Sequence, residues 1–163
     1  MSAEPKGGLI YQQMPKITGE VGAVAKSRRN QQQGYQFRGI DDLYAALQGL
    51  LAGHGVTVVP QVLEYKREER PSKSGGILVS TLALVKHVFY ASDGSSLEAI
   101  TLGEGMDSGD KSANKAMSGA MKYALIECFC VPTWDPDNDS ENSSPQPAPK
   151  TSAPPKTTTT DST

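Results

Sequence analysis

One segment constrains this chain more than any other: Gly103 to Cys128, GEGMDSGDKSANKAMSGAMKYALIEC. From Lys111 onward its apolar residues are Ala113, Ala116, Met117, Ala120, Met121, Ala124, Leu125 and Cys128. They recur at three and four, the period of a helix with one buried face. That buried stripe is made of small and flexible side chains. At about 100° per residue, Lys111, Lys115, Ser118 and Lys122 gather within roughly 60° of one another on the other side. Asp107, Ser108 and Asp110 are N-cap candidates and suit the positive end of the helix dipole. Gly103, Gly105 and Gly109 make the preceding stretch a glycine-rich loop, free for positive φ or for close backbone approach.

The lysine line fits three chemistries. It can be the solvated face of a core helix. It can lie along a nucleic-acid backbone. It can also belong to a phosphate loop, because Gly105-x-x-x-Gly109-Asp110-Lys111-Ser112 looks like a damaged P-loop. Against this last reading, the glycine spacing is one residue short and an aspartate separates glycine from lysine. Glu104, Asp107 and Asp110 would also repel a triphosphate.

Composition divides the chain near Trp134. Residues 135–163 are Pro, Ser, Thr, Asp and Asn with almost nothing apolar, too little to offset chain entropy, so a disordered tail is expected there. Residues 1–134 form one domain, ordered from about residue 9, with enough chain for one core. That domain holds 14 Lys/Arg and 13 Asp/Glu; the tail holds 2 and 5. A near-neutral body neither supports nor excludes nucleic-acid binding, which depends on local patches. Neither a signal peptide nor a run of about 18 apolar residues is present, so a soluble, intracellular protein with no membrane contact is expected.

In chain order, Leu9, Ile10, Met14, Ile17, Val21 and Val24 mark an amphipathic helix. Pro15 and Gly19 predict a kink in it, or a start only near Pro15. It runs into Lys26-Ser27-Arg28-Arg29, cations that also suit a helix C-terminus. The segment 30–39, NQQQGYQFRG, places Tyr35 and Phe37 beside Arg38. Such aromatics can stack on bases or anchor the loop to the core. A second helix runs from Asp41 to Ala52, with Ile40, Leu43, Leu47, Leu50 and Leu51 on its buried face. Three strands follow. The first, Val56–Arg70, has Pro60 as the sign of an edge or bulge. The second, Ile77–Tyr90, is apolar on both faces and therefore central. Ser92-Asp93-Gly94-Ser95 signals a hairpin, and the third strand is Ser96–Leu102.

These elements define an α+β fold: an antiparallel three-stranded β-meander crossed by a long C-terminal helix, after two N-terminal helices. No Ser/His/Asp grouping or paired carboxylates suggest catalysis. His54 reads as a helix cap and His87 as a packed strand residue. Cys128 and Cys130 are too few for a metal site or a disulfide framework and read as buried, reduced residues. No enzyme activity and no cofactor are expected.

The run from Gly103 to Leu125 resembles the signature of the phage essential-recombination-function (ERF) family of single-strand annealing proteins. Tyr35-Gln-Phe-Arg-Gly-Ile-Asp-Asp-Leu-Tyr44, with the leucine-rich helix and His54-Gly55-Val56 after it, is a second match. Phe129-Cys130-Val131-Pro132 is a short third one. The resemblance spans roughly residues 10–133. It implies a DNA-recombination protein that coats single-stranded DNA, assembles as homo-oligomeric rings or filaments and anneals strands without ATP. It implies a strand-strand-strand-helix core, the cytoplasm of a bacterial host, and a single-strand-binding protein or exonuclease as candidate partners.

Annealing requires a neutralised backbone and free base edges. For the phosphates the candidates are Lys26, Arg28, Arg29, Arg38, Lys111, Lys115 and Lys122; for stacking, Tyr35 and Phe37. Lys66, Arg67, Arg70 and Lys73 rank second, because Glu64, Glu68 and Glu69 interleave with them. The other reading is a protein-interaction module whose lysines are only a solvated surface, followed by a nucleotide-dependent enzyme.

Overall fold

The computed structural model describes residues 7–25, 28–29, 36–37, 39–72 and 75–132. The elements are α1 (Ile10–Glu20), β1 (Arg28–Arg29), β2 (Gln36–Phe37), α2 (Ile40–Gly53), β3 (Thr57–Pro71), β4 (Ile77–Tyr90), β5 (Ser96–Asp107) and α3 (Ser112–Cys128). The last three strands form one antiparallel sheet with β4 in the middle, and α3 packs across β4 and β5. This is the α+β meander with a crossing C-terminal helix that the hydrophobic pattern predicts.

Alternation in β4 decides which face the helix covers. Val79, Thr81, Ala83, Val85, His87 and Phe89 are all buried, whereas Leu82 and Tyr90, at the alternate positions, are exposed. In register, Thr81 pairs with Gly105, Ala83 with Gly103 and Val85 with Thr101, so these β5 residues also lie under α3. Here the structure corrects the sequence reading. The third strand does not stop at Leu102 but continues to Asp107, and Gly103 and Gly105 are strand residues rather than loop. Neither has positive φ; in the described chain, Gly55, Gly75 and Gly94 do.

Gly103 and Gly105 are there for space. A Cβ on Gly103 would lie 1.9 Å from the Ala116 carbonyl oxygen, and one on Gly105 2.1 Å from that of Ser112. Both distances are impossible, so the α3 backbone rests directly on the β5 backbone. Ala116, Ala120 and Ala124, fully buried, are the helix's side of the same contact. Larger side chains take over toward the other end of α3. There Leu125 and Phe129 join Phe89, Leu43, Leu47, Val56, Ile10 and Ile17 in the main core. Phe89 and Phe129 meet edge to face, with centroids 5.6 Å apart, a favoured arrangement for two ring quadrupoles.

Hydroxyls fix the helix on the sheet. Thr101 Oγ1 donates to the Ala120 carbonyl at 2.8 Å, and Thr81 and Ser112 share a buried hydroxyl bond of 2.9 Å. Because Thr101 spends its proton on Ala120, it accepts from His87 Nε2–H at 3.0 Å. His87 Nδ1 is then the unprotonated nitrogen, buried with no partner. Burial holds the pKa of His87 below its ordinary 6.5.

The N-terminal helices differ from expectation in their ends. Helix α1 begins at Ile10, before Pro15, and continues past it; Pro15 lies on the exposed side, where the lost backbone bond is open to water. It has no cap of its own. Asp93 Oδ2 accepts from Leu9 N–H at 2.8 Å and Ser95 Oγ from Ile10 N–H at 3.0 Å, so the β4–β5 turn caps α1 from across the fold. The helix ends at Glu20; Val21, extended, and Val24 are buried beyond it, and the basic cluster is not at its C-terminus. His54 is the C-cap residue of α2, as expected, and its ring also joins Gln13 and Glu20 of α1. The bulge of β3 falls between Val62 and Glu64 rather than at Pro60, which sits on an edge strand. Cys130 is exposed rather than buried, in the left-handed region at φ 46°. Its N–H and that of Val131 bond back to Glu127 and Ile126, closing the end of α3.

Two outcomes follow from this packing. Gly103→Ala and Gly105→Ala should each destabilise the domain by about 2–3 kcal/mol, because helix and strand must separate to admit a methyl group. Gly119→Ala, whose Cβ would meet nothing beyond its own helix closer than 3.7 Å, should instead stabilise it by roughly 0.5–1 kcal/mol. Urea denaturation of the three variants measures the contrast. The neutral His87 binds fewer protons folded than unfolded, so stability should fall as pH drops below 6.5. The melting temperature of His87→Gln should depend less steeply on pH over that acid range.

Candidate nucleic-acid interface

Helix α3 separates its two chemistries because 3.6 residues per turn place Lys111, Lys115, Ser118 and Lys122 together. They line one open groove of about 410 Å³. Its other walls are Gly39 and Ile40 at the start of α2 and Glu104 on β5. Gly119 of α3 faces the Glu104 backbone, with room for a Cβ 3.7 Å from its carbonyl oxygen. Strand edge, helix face and helix start thus meet along the lysine row.

The lysines differ in what holds them. Lys115 Nζ donates to the Met106 carbonyl at 2.9 Å and pairs with the Asp107 carboxylate. That lysine, and secondly the Gly109 N–H, keep the Asp107 carboxyl below the usual carboxylate range. Asp107 therefore anchors Lys115 instead of capping α3. Lys111 is the N-cap residue, and no side chain caps the helix start. The Lys122 ammonium lies 5.2 Å from the centroid of the Tyr123 ring, a cation–π contact.

The remaining candidates divide by location. The β1–β2 register sets the backbone of Arg28 opposite Phe37 and Arg29 opposite Gln36. Phe37 stands two residues before Gly39, a wall of the groove. Lys26, Tyr35, Arg38 and Lys73 lie outside the described residues, as does the tail from residue 135. The second-rank cations of β3 are not brought to the groove. Lys66 and Arg70 pair in register with Leu82 and Leu78, on the sheet face away from α3. There both grip Glu68, at 2.7 and 2.9 Å. Arg67 pairs with Glu69 at 3.5 Å.

Three features escaped the sequence reading: the Lys115–Asp107 pair, the groove wall from α2, and an uncovered apolar sheet face. On that face Leu82, Ile100, Leu102 and Met106 are all exposed. A strand apolar on both sides announces a central position but not which side is left open. Among the described residues no three His, Cys, Asp or Glu side chains assemble into a metal ligand set. No described helix is long and apolar enough to cross a membrane.

The described structure is thus a meander backed by one helix, with three lysines of that helix lining an open groove. Comparison with known families is specific: the ERF superfamily model matches residues 10–163, and the chain belongs to the ERF superfamily. At the level of the family, this is phage-type recombination by single-strand annealing. No curated protein matches the chain.

The clasp on Glu68 yields a local test. Hydrogen bonds from Lys66 and Arg70, with their charge, pull its carboxyl down to about 2 from an ordinary 4.5. Titration of the side-chain carboxyl carbon by NMR should find a midpoint about 2, and Lys66→Gln with Arg70→Gln should return it toward 4.5.

Proposed function

We propose that this protein binds single-stranded DNA along the lysine face of α3 and anneals complementary strands without a nucleotide cofactor. The observation that carries this reading is the groove itself. Three lysines of one helix face line an open channel that Gly39 and Ile40, the residues next in sequence after Arg38, also line. An open channel suits a backbone held by its phosphates, with bases left free to search for a complement. Lys111, Lys115 and Lys122 would contact phosphates; Lys26, Arg28, Arg29 and Arg38 would extend the cationic path; Tyr35 and Phe37 would stack on bases.

Self-association belongs to the same proposal. The exposed Leu82, Ile100, Leu102 and Met106 form an apolar surface of the kind that marks protein contacts. Aligned copies would multiply modest single-site binding through effective concentration. The source of the strands would be an exonuclease, and a single-strand-binding protein would be a second partner.

Fluorescence anisotropy with a labelled oligothymidine tests the groove. Lys111→Gln, Lys115→Gln and Lys122→Gln combined should leave melting nearly unchanged, since exposed charges contribute tenths of a kcal/mol. Binding should weaken, and the slope of log affinity against log salt should fall by about 0.7 for each phosphate that is no longer neutralised. Lys66→Gln with Arg70→Gln should bind like the wild type. If the triple variant also binds like the wild type, the groove is not the site, and Arg28, Arg29 and Arg38 become the candidates. If neither protein binds oligonucleotide at all, the apolar sheet face makes a protein-interaction module the better reading.

A further inference from the structure

Strand β3 is the most open element of the sheet. It pairs with β4 along its length, yet none of its residues is buried, and Tyr65 is 72% exposed. Among the described residues no strand pairs with its outer edge. Such an edge presents unpaired N–H and C=O groups, a template for another strand. Its regular part is residues 64–70. The bulge precedes Glu64, and Pro71, with no N–H to donate, follows Arg70.

On the face away from α3 this stretch presents Glu64, Lys66, Glu68 and Arg70, in register with Leu84, Leu82, Ser80 and Leu78. The charges alternate in sign. Charged side chains on an edge deter pairing in general, but an alternating row admits the strand that complements it. Within one chain the row is unevenly satisfied. Glu68 takes both Lys66 and Arg70, and Glu64 has no ion pair among the described residues.

Reversed, this row is its own complement. Two copies laid antiparallel about a two-fold axis at Arg67 set Glu64 opposite Arg70 and Lys66 opposite Glu68, each twice. Directly opposed side chains in an antiparallel pair are close enough to interact. A slip of one residue opposes the open face of one copy to the α3 face of the other. A slip of two sets Lys66 against Arg70, or Glu64 against Glu68. Only the register centred on Arg67 gives every acid its own cation. On the α3 face the two Arg67 side chains meet at the axis, each with its own Glu69 at 3.5 Å to offset the other's charge. The β5 edge is less accessible: the α3 backbone lies against it at Gly103 and Gly105, and Lys115 Nζ already takes the Met106 carbonyl.

We propose that two copies of this chain join through β3, antiparallel over residues 64–70, into one six-stranded sheet. The contact rests on the proposed self-association, to which it gives a surface and a register, and not on DNA binding. A two-fold contact of this kind is closed and yields a pair. The exposed Leu82, Ile100, Leu102 and Met106 stay available for pairs to assemble further.

Light scattering on the full chain reads the mass, which should be that of a dimer or a multiple of it. Lys66→Glu with Arg70→Glu makes the row all acidic, and Glu64→Lys with Glu68→Lys makes it all basic. Each variant alone should lose the pair, and an equal mixture should regain it, which also shows that both are folded. Register is read by Arg67→Cys, with the exposed Cys130 replaced by serine. This variant should cross-link to itself on mild oxidation. Glu69→Cys in the same background, roughly 13 Å along the strand from its counterpart, should not. A wild type that stays monomeric overturns this contact and the self-association reading together. A wild-type oligomer whose mass neither charge reversal changes, with no cross-link at position 67, overturns the contact alone and leaves self-association to the apolar face.

Discussion

Everything in this domain depends on how closely one helix approaches one strand. Without side chains at Gly103 and Gly105, α3 lies with its backbone against β5, and Ala116 and Ala120 complete the contact. Little apolar area is gained there, so close packing and the hydroxyl bonds from Thr101 and Thr81 must hold the register. The large side chains lie toward the other end, where Leu125 and Phe129 enter the core shared with α1 and α2. The helix is thus positioned by a tight, polar-indexed contact near its start and anchored by apolar burial near its end.

That arrangement sets the lysine face. A helix pressed this close to the sheet exposes its opposite side fully, and its rotation is fixed by which residues must be alanine. The lysines therefore have no freedom of placement relative to β5 and α2, and the groove between them is a consequence of the packing. Asp107, at the last residue of β5, reaches the same row and holds Lys115 in place. Buried His87 belongs to the same scaffold. Its Nδ1 is buried without a partner, burial lowers its pKa, and it takes no part in the groove.

Much of the fold was legible because its signals are local. Apolar period 3.6 marked α3 and α2, two-sided apolar character marked β4 as central, and Asp93-Gly94 marked the hairpin. For Gly103 and Gly105 the sequence left open positive φ or close backbone approach; the structure has the second, in a strand rather than a loop, because only the packed helix shows which is needed. In the same way α1 looked weak, with a proline inside it and no cap, because its cap comes from Asp93 and Ser95, more than 80 residues away.

Of the candidate site, the sequence by itself determined that Lys111, Lys115 and Lys122 share a face, since helical geometry alone aligns them. It also marked the cations of β3 as compromised by neighbouring glutamates, and Glu68 does hold both Lys66 and Arg70. Only the tertiary structure decided that Lys66 and Arg70 lie on the sheet face away from α3, while Gly39 and Ile40 line a channel with the lysines. The physical reason is range. Side-chain period and charge alternation are set within a few residues along the chain. Which surfaces confront one another is set by strand register and by the helix–strand contact, between residues far apart in sequence.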